Sequence, residues 1–193
     1  MAAYGESTYQ PIIGGGIMRV RVGLGGNLAH SRAAIESASC LLADFGRVGA
    51  ISSLYRSVPR ERTDQPDYLN AAVALETELE PRQLLAELKA IERRLGRDPF
   101  GHRYGPRLVD LDLLAIEGRC VDDEPDLVVP HPKLAERRFA LEPLAELDPD
   151  LKPWAECPGD RRELTVADAL AAVMDQEVEV VEGPGWAGIT EPQ

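Results

Sequence analysis

From Met18 to Leu24 the chain alternates: Val20, Val22 and Leu24 fall on one side and Arg19, Arg21 and Gly23 on the other, the period of a half-buried strand. Gly25-Gly26-Asn27 then predicts a tight turn. From Ser31 the period lengthens to that of a helix. Ile35, Ala38, Leu41, Leu42 and Phe45 share its apolar face, with Ser31 as cap and Gly46 as stop. Residues 47–56 predict a second strand, the proline-punctuated residues 57–67 a loop, and Leu69 to Thr77 a third strand. Glu80-Pro81 opens the helix with the clearest periodicity. Leu84, Leu85, Leu88, Ile91 and Leu95 line one face, proline is tolerated at the first position, and Gly96 ends it. Residues 97–107 form a second long loop, and Leu108 to Ile116 a fourth strand. Beyond residue 117 the pattern gives a proline-rich loop, a short helix at 133–138, a helix at 165–174 capped by Thr165, and a strand at 177–182.

The order strand, helix, strand, strand, helix, strand predicts an α+β fold with a ferredoxin-like βαββαβ core. In it, helices pack on one face of an antiparallel sheet, and a C-terminal extension follows. A single domain spans 18–182, with residues 1–17 read as a disordered N-terminal extension and 183–193 as a flexible tail. Composition fits that reading: 44% apolar residues in 193 are enough for one packed core. A net charge of −12 speaks against nucleic acid or an anionic membrane as partner, since both are polyanions. No apolar run reaches membrane-spanning length. Cys40, Cys120 and Cys157 are odd in number and far apart. We therefore expect neither a disulfide framework nor a zinc site, and a cytoplasmic location. Oligomeric state, monomer or dimer, is left open.

Asp110-Leu111-Asp112 lies inside the fourth strand, so both carboxylates face the same way with Cα atoms about 6.6 Å apart. Such a pair can hold Mg²⁺, which prefers a few carboxylates plus water and substrate phosphates to a closed protein cage. The bland alternative is two solvated acids on an outer strand face. The preceding loop decides against it. Between residues 93 and 107 stand Arg93, Arg94, Arg97, Arg103 and Arg107 with one acid, Asp98, a local reversal of sign in an acidic chain. Arginine presents a planar fork of donors that matches phosphate oxygens. Phosphate binders running directly into metal binders is what phosphoryl transfer from ATP requires. Other nucleotide and hydrolase signatures fail. Leu28 stands where a dinucleotide fingerprint needs its third glycine, and neither a Gly-Lys-Ser/Thr loop nor a Gly-x-Ser-x-Gly elbow occurs.

Four stretches together resemble the 6-hydroxymethyl-7,8-dihydropterin pyrophosphokinase family of folate biosynthesis. They are Gly-Gly-Asn-Leu at 25–28, Asp-Gln-Pro-Asp-Tyr-Leu-Asn at 64–70, Arg-Tyr-Gly-Pro-Arg-Leu-Val-Asp-Leu-Asp at 103–112, and Val-Pro-His at 129–131 followed by Arg137 and Phe139. The resemblance covers roughly residues 18–150. It implies that the pterin hydroxymethyl oxygen attacks the β-phosphorus of ATP and AMP leaves. Asp110 and Asp112 would hold two Mg²⁺ ions. Arg97, Arg103, Arg107, His131 and Arg137 would contact phosphates, and Glu92 the nucleotide. Asn70 would read the amide-like edge of the pterin, whose flat ring would lie between Tyr68 and Phe139, with Ser57 and Tyr104 nearby. No strong general base stands out, so catalysis would rest on positioning and charge. The chain departs from the family pattern at Pro99, Tyr104 and Pro132 and in the Ser57-Val58-Pro59-Arg60-Glu61 loop. These departures bear on rate, loop closure and substrate choice. Two further readings remain: a related Mg-ATP pyrophosphokinase acting on another pterin-like alcohol, and a non-catalytic ferredoxin-like binding module.

Overall fold

The computed structural model describes residues 16–60, 63–98, 105–123 and 125–188. In chain order it has β1 (Met18–Gly26), α1 (Ser31–Leu41), β2 (Arg47–Ile51), β3 (Leu54–Ser57), β4 (Tyr68–Thr77), α2 (Pro81–Arg94) and β5 (Asp110–Ile116). There follow β6 (Val121–Asp123), β7 (Leu127–Val129), α3 (Arg138–Leu147), α4 (Val166–Ala171) and β8 (Val178–Glu182). The main sheet is antiparallel in the order β5-β1-β4-β3-β8, with β2 on the same flank of β4 as β3. Its first four members in space are the expected ferredoxin-like arrangement. The predicted strand 47–56 is broken at Ser52 and Ser53. There Ser52 Oγ accepts the Ala72 N–H at 2.9 Å, and Glu146 accepts both the Ser53 N–H and its hydroxyl.

Two helices cover one face of the sheet, as the apolar periods require. Ile35 and Ala38 of α1 and Leu84, Leu88 and Ile91 of α2 pack on Val20, Val22 and Leu24. The boundaries of α2 follow its signals: Glu80 and Gln83 form a reciprocal capping box with Pro81 at the first turn, and Gly96 ends it at φ +94°. The other face is covered too, against the one-sided reading. Leu141 and Leu144 of α3 and Val166 of α4 form a second core with Leu114 and Trp154. Leu113 and Leu114 are buried one in each core, as alternation along a strand dictates, and the register shift between β1 and β5 at Arg21/Val22 puts Ala115 beside Leu114 in the second core and returns Ile116 to the first. Helix α3 escaped the sequence reading because Pro143 sits inside it; only a short 3-10 turn, Leu134–Glu136, occupies the predicted helix 133–138. Burial of Leu141 and Leu144 outweighs the lost backbone bond.

Three further readings are corrected. Ser31 is not the cap of α1 but its first residue; its Oγ accepts the Leu28 N–H at 2.8 Å and so holds the preceding turn. Cys120 and Cys157, 37 residues apart, form a disulfide with a Cα–Cα distance of 5.2 Å, because the turn after β5 meets the loop before α4. Cys40 is a free, exposed thiol. Finally, within the stretch 183–193 read as a flexible tail, Trp186 and Ala187 are buried, while 183–185 and 188 are exposed. Trp186 donates Nε1–H to Ser52 O at 2.7 Å and has the Arg32 guanidinium 5.3 Å from its ring centre. Residues 1–15 and 189–193 lie outside the described residues.

Candidate active site

The carboxylate pair owes its setting to what stands opposite it. Across β1, Asp110 pairs with Gly25 and Asp112 with Gly23; across β4, Gly25 pairs with Asn70. Residues directly opposite in an antiparallel sheet share a face. Asp110, Gly25 and Asn70 therefore make one row, and the glycine leaves a gap where another residue would raise a side chain. A Cβ at Gly25 would stand 3.7 Å from Asn70 Oδ1. At two interstrand spacings, the row places Asp110 and Asn70 about 9.6 Å apart. Above it opens a cavity of about 910 Å³ that takes in both ends of the row. Gly25 and Gly26 are thus strand residues, not the predicted turn. Gly26 is obligatory for another reason: a Cβ there would lie 2.4 Å from Leu108 O and 2.7 Å from Ser31 Oγ.

Strand β5 is a sheet edge, and α2 seals it. Leu111 N–H donates to Glu92 Oε1 at 2.7 Å, while Lys89 Nζ donates to Leu111 O at 2.8 Å and to Glu92 Oε1 at 2.7 Å. Lys89 also stands 3.7 Å from Asp110 and 3.6 Å from Asp112. Arg97 bonds both Glu92 and Asp110, and Arg107 bonds Asp110. Three acids are matched by three bases. Burial raises the Asp110 carboxyl, but the charges of Lys89, Arg107 and Arg97 outweigh it and hold Asp110 at about 2. Glu92 goes the other way: burial, helped by the charge of Asp110, pushes it up despite Lys89 and the Leu111 N–H. Burial also pushes the His131 imidazole down, against the pull of Asp112. Its Nδ1 accepts the Lys133 N–H at 3.2 Å, and its backbone N–H donates to Leu114 O at 2.9 Å, tying it to β5.

At the other end of the row the groups are neutral. Asn70, buried, donates Nδ2–H to Ser57 Oγ at 2.9 Å. Tyr68 OH donates to Gln65 Oε1 at 3.3 Å. Phe139, in the first turn of α3, faces the same cavity and carries the Arg137 guanidinium 5.5 Å from its ring centre.

Eleven of the residues singled out in the sequence therefore meet in this cavity: Ser57, Tyr68, Asn70, Glu92, Arg97, Arg107, Asp110, Asp112, His131, Arg137 and Phe139. Arg103 and Tyr104 lie outside the described residues, as do Pro99 and His102. Two residues that hold the site together had no role in the sequence reading. Lys89 was given no role, although its i,i+3 spacing to Glu92 is visible in the sequence. Asn27 had no assigned role; buried, it accepts the Arg107 N–H at 2.9 Å and donates to Gln65 and Pro66, stapling both cavity loops to the end of β1. Among the described residues no group of three or more His, Cys, Asp or Glu side chains forms a metal cage. Two same-face carboxylates over an open glycine row suit a hydrated Mg²⁺ shared with phosphates better than a closed site.

Residues 21–149 match the family described as 7,8-dihydro-6-hydroxymethylpterin-pyrophosphokinase. The chain is 45% identical over 166 residues to the 2-amino-4-hydroxy-6-hydroxymethyldihydropteridine pyrophosphokinase of Methylorubrum extorquens, spanning 85% of this chain and 99% of that protein. It is 44% identical over 138 residues to the Pseudomonas aeruginosa protein of the same name, spanning 70% of this chain and 84% of the relative. Among solved structures, the Plasmodium falciparum HPPK-DHPS crystallised with SDX-DHP superposes with a TM-score of 0.65 at 13% identity. The match covers 83% of this chain and 45% of that one, a likeness of fold alone.

Proposed function

The chain belongs to the 7,8-dihydro-6-hydroxymethylpterin-pyrophosphokinase family, and from that premise we propose how its cavity works. The enzyme transfers pyrophosphate from ATP to hydroxymethyldihydropterin in folate synthesis. The pterin hydroxymethyl oxygen gives up its proton to solvent and forms a bond to the β-phosphorus, the bond from that phosphorus to the α-phosphate oxygen breaks, and AMP leaves. One observation carries the spatial assignment: the row Asp110–Gly25–Asn70 joins a charged end and a neutral end of one cavity.

The triphosphate belongs at the charged end. Arg97 and Arg107, which neutralise Asp110 in the structure, turn their forks to phosphate oxygens, joined by His131 and Arg137 from later in the chain and by Arg103. Asp110 and Asp112 would hold two Mg²⁺ ions, which would supply positive charge to offset the charge of the phosphates. Lys89 balances the acids, and Glu92 fixes the strand that bears them through the Leu111 N–H. Asp110, held at about 2 by Lys89, Arg107 and Arg97, is a poor proton acceptor and acts through position and charge. At the neutral end Asn70 offers donor and acceptor to the pterin edge, with Ser57 fixing the amide. Tyr68 and Phe139 flank the ring, and Tyr104 completes the substrate side. We place the protein in the cytoplasm; neither Cys120 nor Cys157 lines the cavity, so the site does not depend on the bond between them.

Product analysis with ATP, Mg²⁺ and 6-hydroxymethyl-7,8-dihydropterin tests the assignment. AMP and the pterin pyrophosphate are expected, with turnover lost on chelation of Mg²⁺. Turnover that survives chelation would remove the metal from the scheme.

A further inference from the structure

Helix α3 begins with a defect that a distant residue repairs. Its N-cap is Arg137, whose side chain makes no capping bond. The first N–H groups of a helix need an acceptor, and arginine has none to give. Gln176, beyond the family match, supplies it. Its Oε1 accepts the Arg138 N–H at 3.0 Å, and its Nε2 donates to Glu136 O at 3.0 Å. One amide thus grips the peptide groups on both sides of Arg137.

Gln176 is itself firmly placed. Its N–H donates to Val173 O at 3.2 Å, its C=O accepts from Arg138 Nη1 at 2.8 Å, and two residues on Val178 pairs with Ser57. The grip leaves the Arg137 side chain free for the cavity, and Phe139 hangs from the same turn. We propose that Gln176 is a positioning residue for pyrophosphoryl transfer, acting through Arg137 and Phe139. The inference rests on the roles given to those two residues above.

The test uses the full chain and steady-state kinetics with 6-hydroxymethyl-7,8-dihydropterin and ATP, beside thermal unfolding. Gln176→Met keeps most of the volume and loses the amide. It is expected to raise the pterin KM about fivefold, the order of one neutral hydrogen bond, with kcat changed less than twofold. Gln176→Glu keeps the acceptor for the Arg138 N–H but loses the donor to Glu136 O, and is expected to recover only part of that loss. In a Phe139→Ala background, Gln176→Met is expected to add little to the pterin KM, because its effect on pterin binding runs through that ring. A Met variant with an unchanged pterin KM, whatever its melting temperature, would show Gln176 to be a helix cap only and overturn the proposal. If Phe139→Ala itself left the pterin KM unchanged, the site reading would fall and the proposal with it. If Phe139→Ala weakened pterin binding while Gln176→Met did not, the clamp alone would fall.

Discussion

At the proposed nucleotide end of the cavity, Glu92, Asp110 and Asp112 crowd against Lys89, Arg97 and Arg107. At the proposed pterin end, about two strand spacings away, Asn70 and Ser57 meet as a neutral pair. The two ends hold their geometry by different means. The charged end is a balanced cluster whose partners must be exchanged when phosphate arrives, so its resting contacts differ from its working ones. The neutral end is pre-set: the Asn70 amide is buried on β4 and oriented by Ser57 before any ligand comes. Charge exchange suits a flexible triphosphate with several ionised oxygens. A fixed donor and acceptor suit a rigid ring, since an unmatched group there would leave a buried amide unpaired.

This contrast can be broken at either end. The largest effect is expected at the charged end, where Asp112→Ala should lower kcat about a thousandfold or more through loss of the metal-held phosphates. The Asp112 side chain is 40% exposed, with Lys89 at 3.6 Å, so the melting temperature should hardly move. An active variant with unchanged Mg²⁺ dependence would sink the metal assignment. At the neutral end, Asn70→Leu should raise the pterin KM about ten- to hundredfold while leaving ATP binding close to wild type. Equal losses for both substrates would show that the two ends are not separable.

The smallest effect is on stability. Asp110 is held at about 2, below the ordinary carboxylate value of about 3.9. A depressed folded-state value contributes stability that is present above about pH 4 and is lost as pH falls through about 2. Urea midpoints of wild type and Asp110→Asn should therefore converge over that interval, with wild type ahead at neutral pH. A constant gap would mean that the Asp110 charge is not what the cluster stabilises.

The charged end was legible because it is nearly continuous in sequence. Helix end, arginine loop and strand run through residues 92–112, and the i,i+2 spacing of Asp110 and Asp112 dictates a shared face wherever the strand packs. The neutral end was not legible from its own chemistry. Asn70, Ser57 and Phe139 come from β4, β3 and α3, and only resemblance to a family linked them. Lys89 was hidden for a related reason, since nothing local distinguishes it from a solvated helix lysine. The disulfide between Cys120 and Cys157 was missed because spacing in sequence says little about distance in space.

Local pattern alone determined the βαββαβ core, the long amphipathic face and signals of α2, and the arginine-to-aspartate passage that points to phosphoryl transfer. These depend on near-neighbour periodicity and capping, which a linear chain displays. Only the tertiary structure decided that Gly25 opens a gap between Asp110 and Asn70, that α3 and α4 cover the second face, and that Gln176 holds the turn carrying Arg137. Strand register and helix docking bring together residues tens of positions apart, and those pairings follow from burial of whole faces rather than from any local preference.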